Sequence, residues 1–195
     1  MEKIKLAVFA STRGTDLQAL IEAIKAGELA FADLKFVLSN KEECGAVEKA
    51  KAAGIKTYFV NPRGKTREEY DGECLKICRE NGIDLILLVG YMRIMTSVII
   101  EPYRKRIMNI HPSLLPKYPG MDLDVHAEVL KNGEKESGCT LHFVTEELDS
   151  GPVILQKKVE VSENETPESL KAKVQLKEQE AILEGLKLFA EGKLV

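Results

Sequence analysis

The segment Asn109-Ile110-His111 sets a carboxamide and an imidazole two residues apart at the end of an apolar run that begins with Ile107 and Met108. In a strand, side chains two apart share a face, so Asn109 and His111 would look together beyond the strand end. Pro112, Pro116 and Pro119 follow, then Gly120. That density of proline stops the chain from continuing as sheet or entering a helix. A fixed amide donor beside a titratable base suits carbonyl chemistry, in which one group holds an oxygen as it gains charge and the other handles a proton. The same pair would also serve to close a turn, and spacing alone leaves both readings open.

Two further segments carry chemistry-bearing residues. Asp149 sits in Leu148-Asp149-Ser150-Gly151-Pro152, a composition that forms tight turns and also presents a carboxylate suited to orienting an imidazole. The loop Ser11-Thr12-Arg13-Gly14-Thr15-Asp16 runs from an apolar segment into a helical one, where free N–H groups favour an anion such as phosphate. Thr15 or Asp16 would equally well cap that helix. The loop has neither the three glycines of a dinucleotide fingerprint nor the Gly-Lys-Ser/Thr of a P-loop. His142, alternating with Leu141 and Phe143, reads as a structural histidine hydrogen-bonded within a sheet, with a supporting role behind the site as the alternative.

Positioning these groups falls to an alternation of short β-rich runs and stretches of helical periodicity. Strands are expected over 5–10, 34–38, 57–60, 84–89 and 107–110, and helices over 17–25, 45–53, 67–80, 96–103 and 125–131. The run 84–89 is apolar on both faces, as a buried parallel strand is. Runs 140–144 and 153–161 alternate and read as antiparallel strands. Thr166-Pro167-Glu168 opens a last long helix with a cap, an N-terminal proline and an acid. The fold class that follows is α/β: one Rossmann-like domain over residues 1–195, with a mostly parallel sheet, helices on both faces and antiparallel C-terminal strands. Ligands in such sheets bind beyond the carboxyl ends of the strands, which gathers 11–16, 90–95 and 109–120 in one place.

Composition narrows the function classes. The chain has 195 residues, 44% hydrophobic and 30% charged, with a formal net charge of −3, so no basic block invites nucleic acid or an acidic membrane. No apolar run approaches a bilayer span, and the N-terminus enters a strand without the pattern of a signal peptide; a cytoplasmic protein is expected. Cys44, Cys74, Cys78 and Cys139 are too few and too scattered for a disulfide framework. Cys74 and Cys78 share a helix face but lack further ligands for a zinc site, so no metal is expected.

The stretch Asn109 to Gly120, the run Leu148-Asp149-Ser150-Gly151-Pro152-Val153-Ile154 and the run Gly90-Tyr91-Met92-Arg93-Ile94-Met95 together resemble the folate-dependent formyltransferase family, in order and spacing over essentially the whole chain. The resemblance implies formyl transfer from 10-formyltetrahydrofolate to the amine of glycinamide ribonucleotide, a step of purine synthesis. It implies Asn109, His111 and Asp149 as the catalytic three. Asn109 and a charged His111 would hold the formyl oxygen, while Asp149 would support His111 and help move the proton. Folate is then expected against Met92, Arg93, Ile94, Met95, Val144 and Glu147. The acceptor is expected on Gly14, Thr15, Asp16, Arg67, Gly90, Ile110 and Glu178. The N-terminal half would hold the nucleotide and the C-terminal half the folate. Partners would be these small molecules alone, and the chain a monomer or homodimer. The same family on another amine, such as a sugar nucleotide, and a non-catalytic phosphometabolite-binding module stand as alternatives.

The chain departs from the family pattern in two places. Relatives write the first loop Ser-Gly-x-Gly-Ser-Asn, and here Asp16 replaces the neutral amide, where an outward-facing carboxylate would repel phosphate. After Gly120 the chain reads Met121-Asp122-Leu123-Asp124-Val125-His126, longer than the family's Leu-His-x-His, with His126 at the second histidine and two added acids.

Overall fold

Strand β4 (Leu85–Val89) is buried at every position, because its apolar residues lie at the centre of a sheet covered on both faces. The computed structural model describes residues 3–120 and 124–194. Around β4 run β1 (Ile4–Ala10), β2 (Ala32–Ser39), β3 (Lys56–Phe59) and β5 (Ile107–His111), all parallel. The hairpin strands β6 (Glu136–Phe143) and β7 (Val153–Glu160) add antiparallel at one side, giving the order β3-β2-β1-β4-β5-β6-β7.

Period-two alternation divides the interior into two cores. Leu6, Val8, Leu85, Leu87 and Met108 face one side, under α1 (Thr15–Lys25), α2 (Gly45–Ala52), α5 (Val125–Lys131) and α6 (Pro167–Ala190). Ala7, Phe9, Ile86, Leu88 and Ile107 face the other, under α3 (Arg67–Glu80) and α4 (Ser97–Ile100). Cys74 and Cys78 are wholly buried in this second core, and burial pushes the Cys74 thiol up to about 12. Among the described residues no cluster of three or more His, Cys, Asp or Glu is arranged to hold a metal, and no helix is long and apolar enough to cross a membrane.

Two elements differ from their sequence expectation by three residues or more at one end. The helix expected over 96–103 is only Ser97–Ile100, since turns take over at Glu101 and the Arg106 guanidinium donates to the Pro102 carbonyl. Strand β6 begins at Glu136, four residues before the expected 140. Its polar start carries no alternation, and pairing with β7 holds it, including a 2.8 Å ion pair from Lys158 to Glu136.

Candidate active site

Asn109 and His111 project from the last turns of the pleat in β5, and the ladder sets Asn109 directly opposite His142 on β6. Asn109 Nδ2 lies 3.1 Å from His142 Nε2. The other ring nitrogen of His142, Nδ1, lies 2.9 Å from the carbonyl of Phe143. A carbonyl only accepts, so Nδ1 carries the proton and Nε2 receives one from the Asn109 amide. The carboxamide is thereby oriented, with its second N–H left over.

His111 is held differently. Its Nε2 donates to the Tyr118 carbonyl at 2.8 Å, so the proline loop that follows β5 clamps the ring from behind. Nδ1 then faces Asp149 Oδ2 at 3.5 Å. That contact is attractive only when Nδ1 also carries a proton. At 3.5 Å the Nδ1 proton is not consumed by a short hydrogen bond.

Asp149 reaches both rings from the β6–β7 connection. Its side chain is 4% exposed, and Oδ1 lies 3.6 Å from His142 Nε2, while Oδ2 accepts from the Gly120 N–H at 2.8 Å. Burial alone would raise this carboxyl. The Gly120 N–H and the charge of His111 act against burial, and the carboxyl lies below the usual carboxylate range. The backbone at Asp149 is left-handed, with φ 52°. Two residues on, a Cβ on Gly151 would stand 1.7 Å from the Phe143 carbonyl oxygen, so the turn depends on glycine there.

These four side chains line one cavity of about 800 Å³. A smaller cleft of about 600 Å³ shares Thr12, Arg13, Asp16, Gly90, Lys171 and Gln175 with it. In that cleft two helices begin: Gly14 and Cys44 are the N-caps of α1 and α2, and neither helix start is capped by a side chain. Gly14, at φ 68°, packs so closely on α2 that a Cβ would lie 2.6 Å from Ala46 Cα. Uncapped, convergent helix starts form a ready anion site. Of the two readings of Thr15 and Asp16, capping is therefore not what they do.

The described fold and the sequence agree with a known group of proteins. Residues 4–186 match the family model described as formyl transferase. The chain belongs to the formyl transferase family. It is 39% identical over 192 residues to phosphoribosylglycinamide formyltransferase of Escherichia coli (strain K12), covering 98% of this chain and 89% of that one. It is 36% identical to a segment of the trifunctional purine biosynthetic protein adenosine-3 of Homo sapiens, covering 98% of this chain but only 19% of that protein. The crystal structure of glycinamide ribonucleotide transformylase 1 from Symbiobacterium toebii superposes with a TM-score of 0.94 at 36% identity, covering 99% of this chain and 90% of the other.

In this formyl transferase the wall facing Asn109 is apolar and irregular. Leu88, Met92, Ile94, Met95 and Val144 line it, with Glu147 at the side. The backbone N–H groups of Arg93, Ile94 and Met95 take no partner among the described residues. The Arg93 guanidinium lies 4.0 Å over the Tyr70 ring, and its Nε is buried without a hydrogen bond. A flat, polar-edged heterocycle fits such a slot, apolar on its faces and met by backbone at its rim.

The remaining expected residues divide clearly. Gly90, Ile110, Asp16 and Glu178 line the main cavity, whereas Gly14 and Thr15 line the smaller cleft. Arg67, exposed at the first position of α3, lines neither. Met121, Asp122 and Leu123 of the altered loop lie outside the described residues, whereas Asp124 caps α5 through Ala127 N–H at 3.2 Å. His142, expected as a hydrogen-bonded sheet histidine with a supporting role as the alternative, is hydrogen-bonded in the sheet and is the direct partner of Asn109. One further residue escaped the sequence reading. Ser11, fully buried, accepts from the Met92 N–H at 3.1 Å and donates to Asn40 Oδ1 at 2.5 Å, tying the first loop to the 90–95 loop. No local signal marks it, since it acts through partners far away in sequence.

Proposed function

We propose that this chain transfers a formyl group from 10-formyltetrahydrofolate to the amine of glycinamide ribonucleotide. The observation that carries the reading is the meeting of Asn109, His111, His142 and Asp149 in one cavity, between an apolar slot and an uncapped pair of helix starts. The slot suits a pterin, and the helix starts suit the acceptor's phosphate. The names of the Escherichia coli and Symbiobacterium toebii relatives support the choice of acceptor.

In this reading Asn109 donates its free amide N–H to the formyl oxygen as the amine attacks. His111 donates from Nδ1 to the same oxygen, and its positive charge meets the developing negative one. Asp149 sets its negative charge against His111 and, directly or through water, carries the proton lost by the attacking amine to the leaving folate nitrogen. No protein nucleophile is required, and much of the acceleration comes from holding both substrates in register. Met92, Arg93, Ile94, Met95, Val144 and Glu147 bind the folate. Gly14, Thr15, Asp16, Gly90, Ile110 and Glu178 bind the acceptor. Arg67 joins them by resemblance alone. Both halves of the single domain serve both substrates, since Met92 to Met95 of the folate set come from the N-terminal half and Ile110 and Glu178 of the acceptor set from the C-terminal half, in a cytoplasmic enzyme that works on small molecules without a metal.

The test is an assay of purified protein with both substrates, following the absorbance of deformylated folate. Product that requires the ribonucleotide is expected. Formate released at the same rate without it would replace transfer by hydrolysis, and no reaction would end the assignment.

A further inference from the structure

The segment 90–96 that joins β4 to α4 is irregular, so no ladder fixes it. Its far end is held instead by a buried carboxylate. Asp71, on α3, is 2% exposed, and its Oδ2 accepts from the Thr96 N–H at 2.6 Å and from the Thr96 hydroxyl at 2.8 Å. Thr96 is the N-cap of α4, yet its hydroxyl makes no capping bond. The group that ordinarily closes a helix start is turned to Asp71. The residue before Asp71 holds the near end of the same segment: Tyr91 donates its hydroxyl to the Tyr70 hydroxyl at 3.1 Å, and the Arg93 guanidinium lies over the Tyr70 ring. Neither Asp71 nor Thr96 lines the cavity.

We propose that Asp71 is a positioning residue for the folate: by fixing Thr96 it sets the unpartnered N–H groups of Arg93, Ile94 and Met95 along the edge of the apolar slot, where they meet the polar rim of the heterocycle. The proposal rests on the folate reading given above.

The Thr96 N–H belongs to the planar Met95–Thr96 peptide. Its bond to Asp71 therefore orients that plane, and only the two backbone dihedrals of Met95 separate the plane from the Met95 N–H. The platform behind is rigid. Thr66 and Glu69 form a reciprocal capping box at the start of α3, while Tyr70, Cys74 and Cys78 bury its inner face. Packing alone does not call for an acid here. The surrounding core is built from residues such as Phe9, Ile86 and Leu88, and an apolar side chain would fill the position without burying a charge. Burial pushes the Asp71 carboxyl up, and the two Thr96 bonds and the Arg93 charge act the other way. What the acid adds over an apolar residue is its hold on Thr96.

The test has two arms. The first uses the protein without substrate and follows limited tryptic cleavage after Arg93. Cleavage in Asp71→Ala is expected to be about fivefold faster than in the wild type or more, because the segment opens more often. Equal rates overturn the proposal. The second arm compares the KM values of the two substrates. Asp71→Ala is expected to raise the folate KM about tenfold with the acceptor KM within about twofold. Asp71→Asn, whose side-chain oxygen still accepts both Thr96 bonds, is expected to bring the folate KM back to within about threefold of the wild type. An unchanged folate KM in Asp71→Ala, an equal rise in both KM values, or no rescue by asparagine overturns the proposal. Should Asp71→Ala fail to fold, Thr96→Val decides in its place: it keeps the shape and the N–H bond, and a rise of about threefold in folate KM alone is expected. An unchanged value there overturns the proposal. Calorimetry with tetrahydrofolate separates the two readings. A wild type that does not bind it overturns the folate reading and the role of Asp71 together, whereas equal binding by wild type and Asp71→Ala overturns the role alone.

Discussion

Asn109 and His142 stand directly across the β5–β6 ladder, with Nδ2 and Nε2 3.1 Å apart. The imidazole is thus the lock on the carboxamide rotor, since its own proton is committed to the Phe143 carbonyl. His142→Ala is expected to lower kcat about 10- to 100-fold, less than the roughly 100- to 1,000-fold expected for Asn109→Ala, which removes an oxyanion donor outright. The folate KM should change little. Steady-state kinetics decide the matter, and a kcat for His142→Ala equal to that of the wild type removes the lock from the mechanism.

Asp149→Asn keeps the shape and an oxygen for the Gly120 N–H but deletes the charge that faces His111. Turnover is expected to fall by about two orders of magnitude or more in a variant that still folds, and His111→Ala should behave likewise. The sign of the pH effect follows from the lowered carboxyl. Its stabilising contribution is present above the unfolded carboxylate range near 4 and is lost only as pH falls through the lower folded value. Activity should therefore not lose Asp149 between pH 7 and 5. Full activity in Asp149→Asn would leave the carboxylate without a role.

Much of this site could be read from the chain, and the limits of that reading are physical. Asn109, His111 and Asp149 are legible because proline and glycine punctuate their loops, and because residues two apart in a strand share a face. The central strands are legible because burial on both faces demands unbroken apolar runs. The pairing of His142 with Asn109 was hidden because the register between β5 and β6 is not written locally. The polar start of β6 was hidden for a related reason: Glu136, Ser137 and Gly138 are strand only because β7 pairs with them.

Gly151→Ala places a methyl group 1.7 Å from the Phe143 carbonyl oxygen, so backbone must move. A loss of about 1–3 kcal/mol in unfolding free energy is expected, with a fall in kcat from displacement of Asp149. Urea unfolding together with kinetics tests both. A stable variant with normal turnover would mean that the turn has slack that the contact denies.

Glu178 gives a second pH prediction, of opposite sign to that of Asp149. Burial, and then the charge of Asp16, raise its folded value to about 8, above the ordinary carboxylate value near 4.5, so the folded state binds a proton that the unfolded chain has released across this window. Stability should be fully present below about 4.5 and decline as pH rises towards 8. Glu178→Gln should flatten that decline. Urea midpoints at pH 5 and pH 8 are the measurement, and equal slopes in both proteins would count against a buried proton.

The β6–β7 connection starts level with Ile107, whose carbonyl accepts from Val144 N–H at 2.9 Å, yet it delivers Asp149 to His111 at the far end of β5. It has to travel back along the sheet to do so. Extra residues in an outer hairpin are ordinarily harmless to a fold. Here a single insertion would leave the strands paired and withdraw the acid from its partner, so the length of this hairpin is set by the chemistry it reaches and not by the sheet it closes.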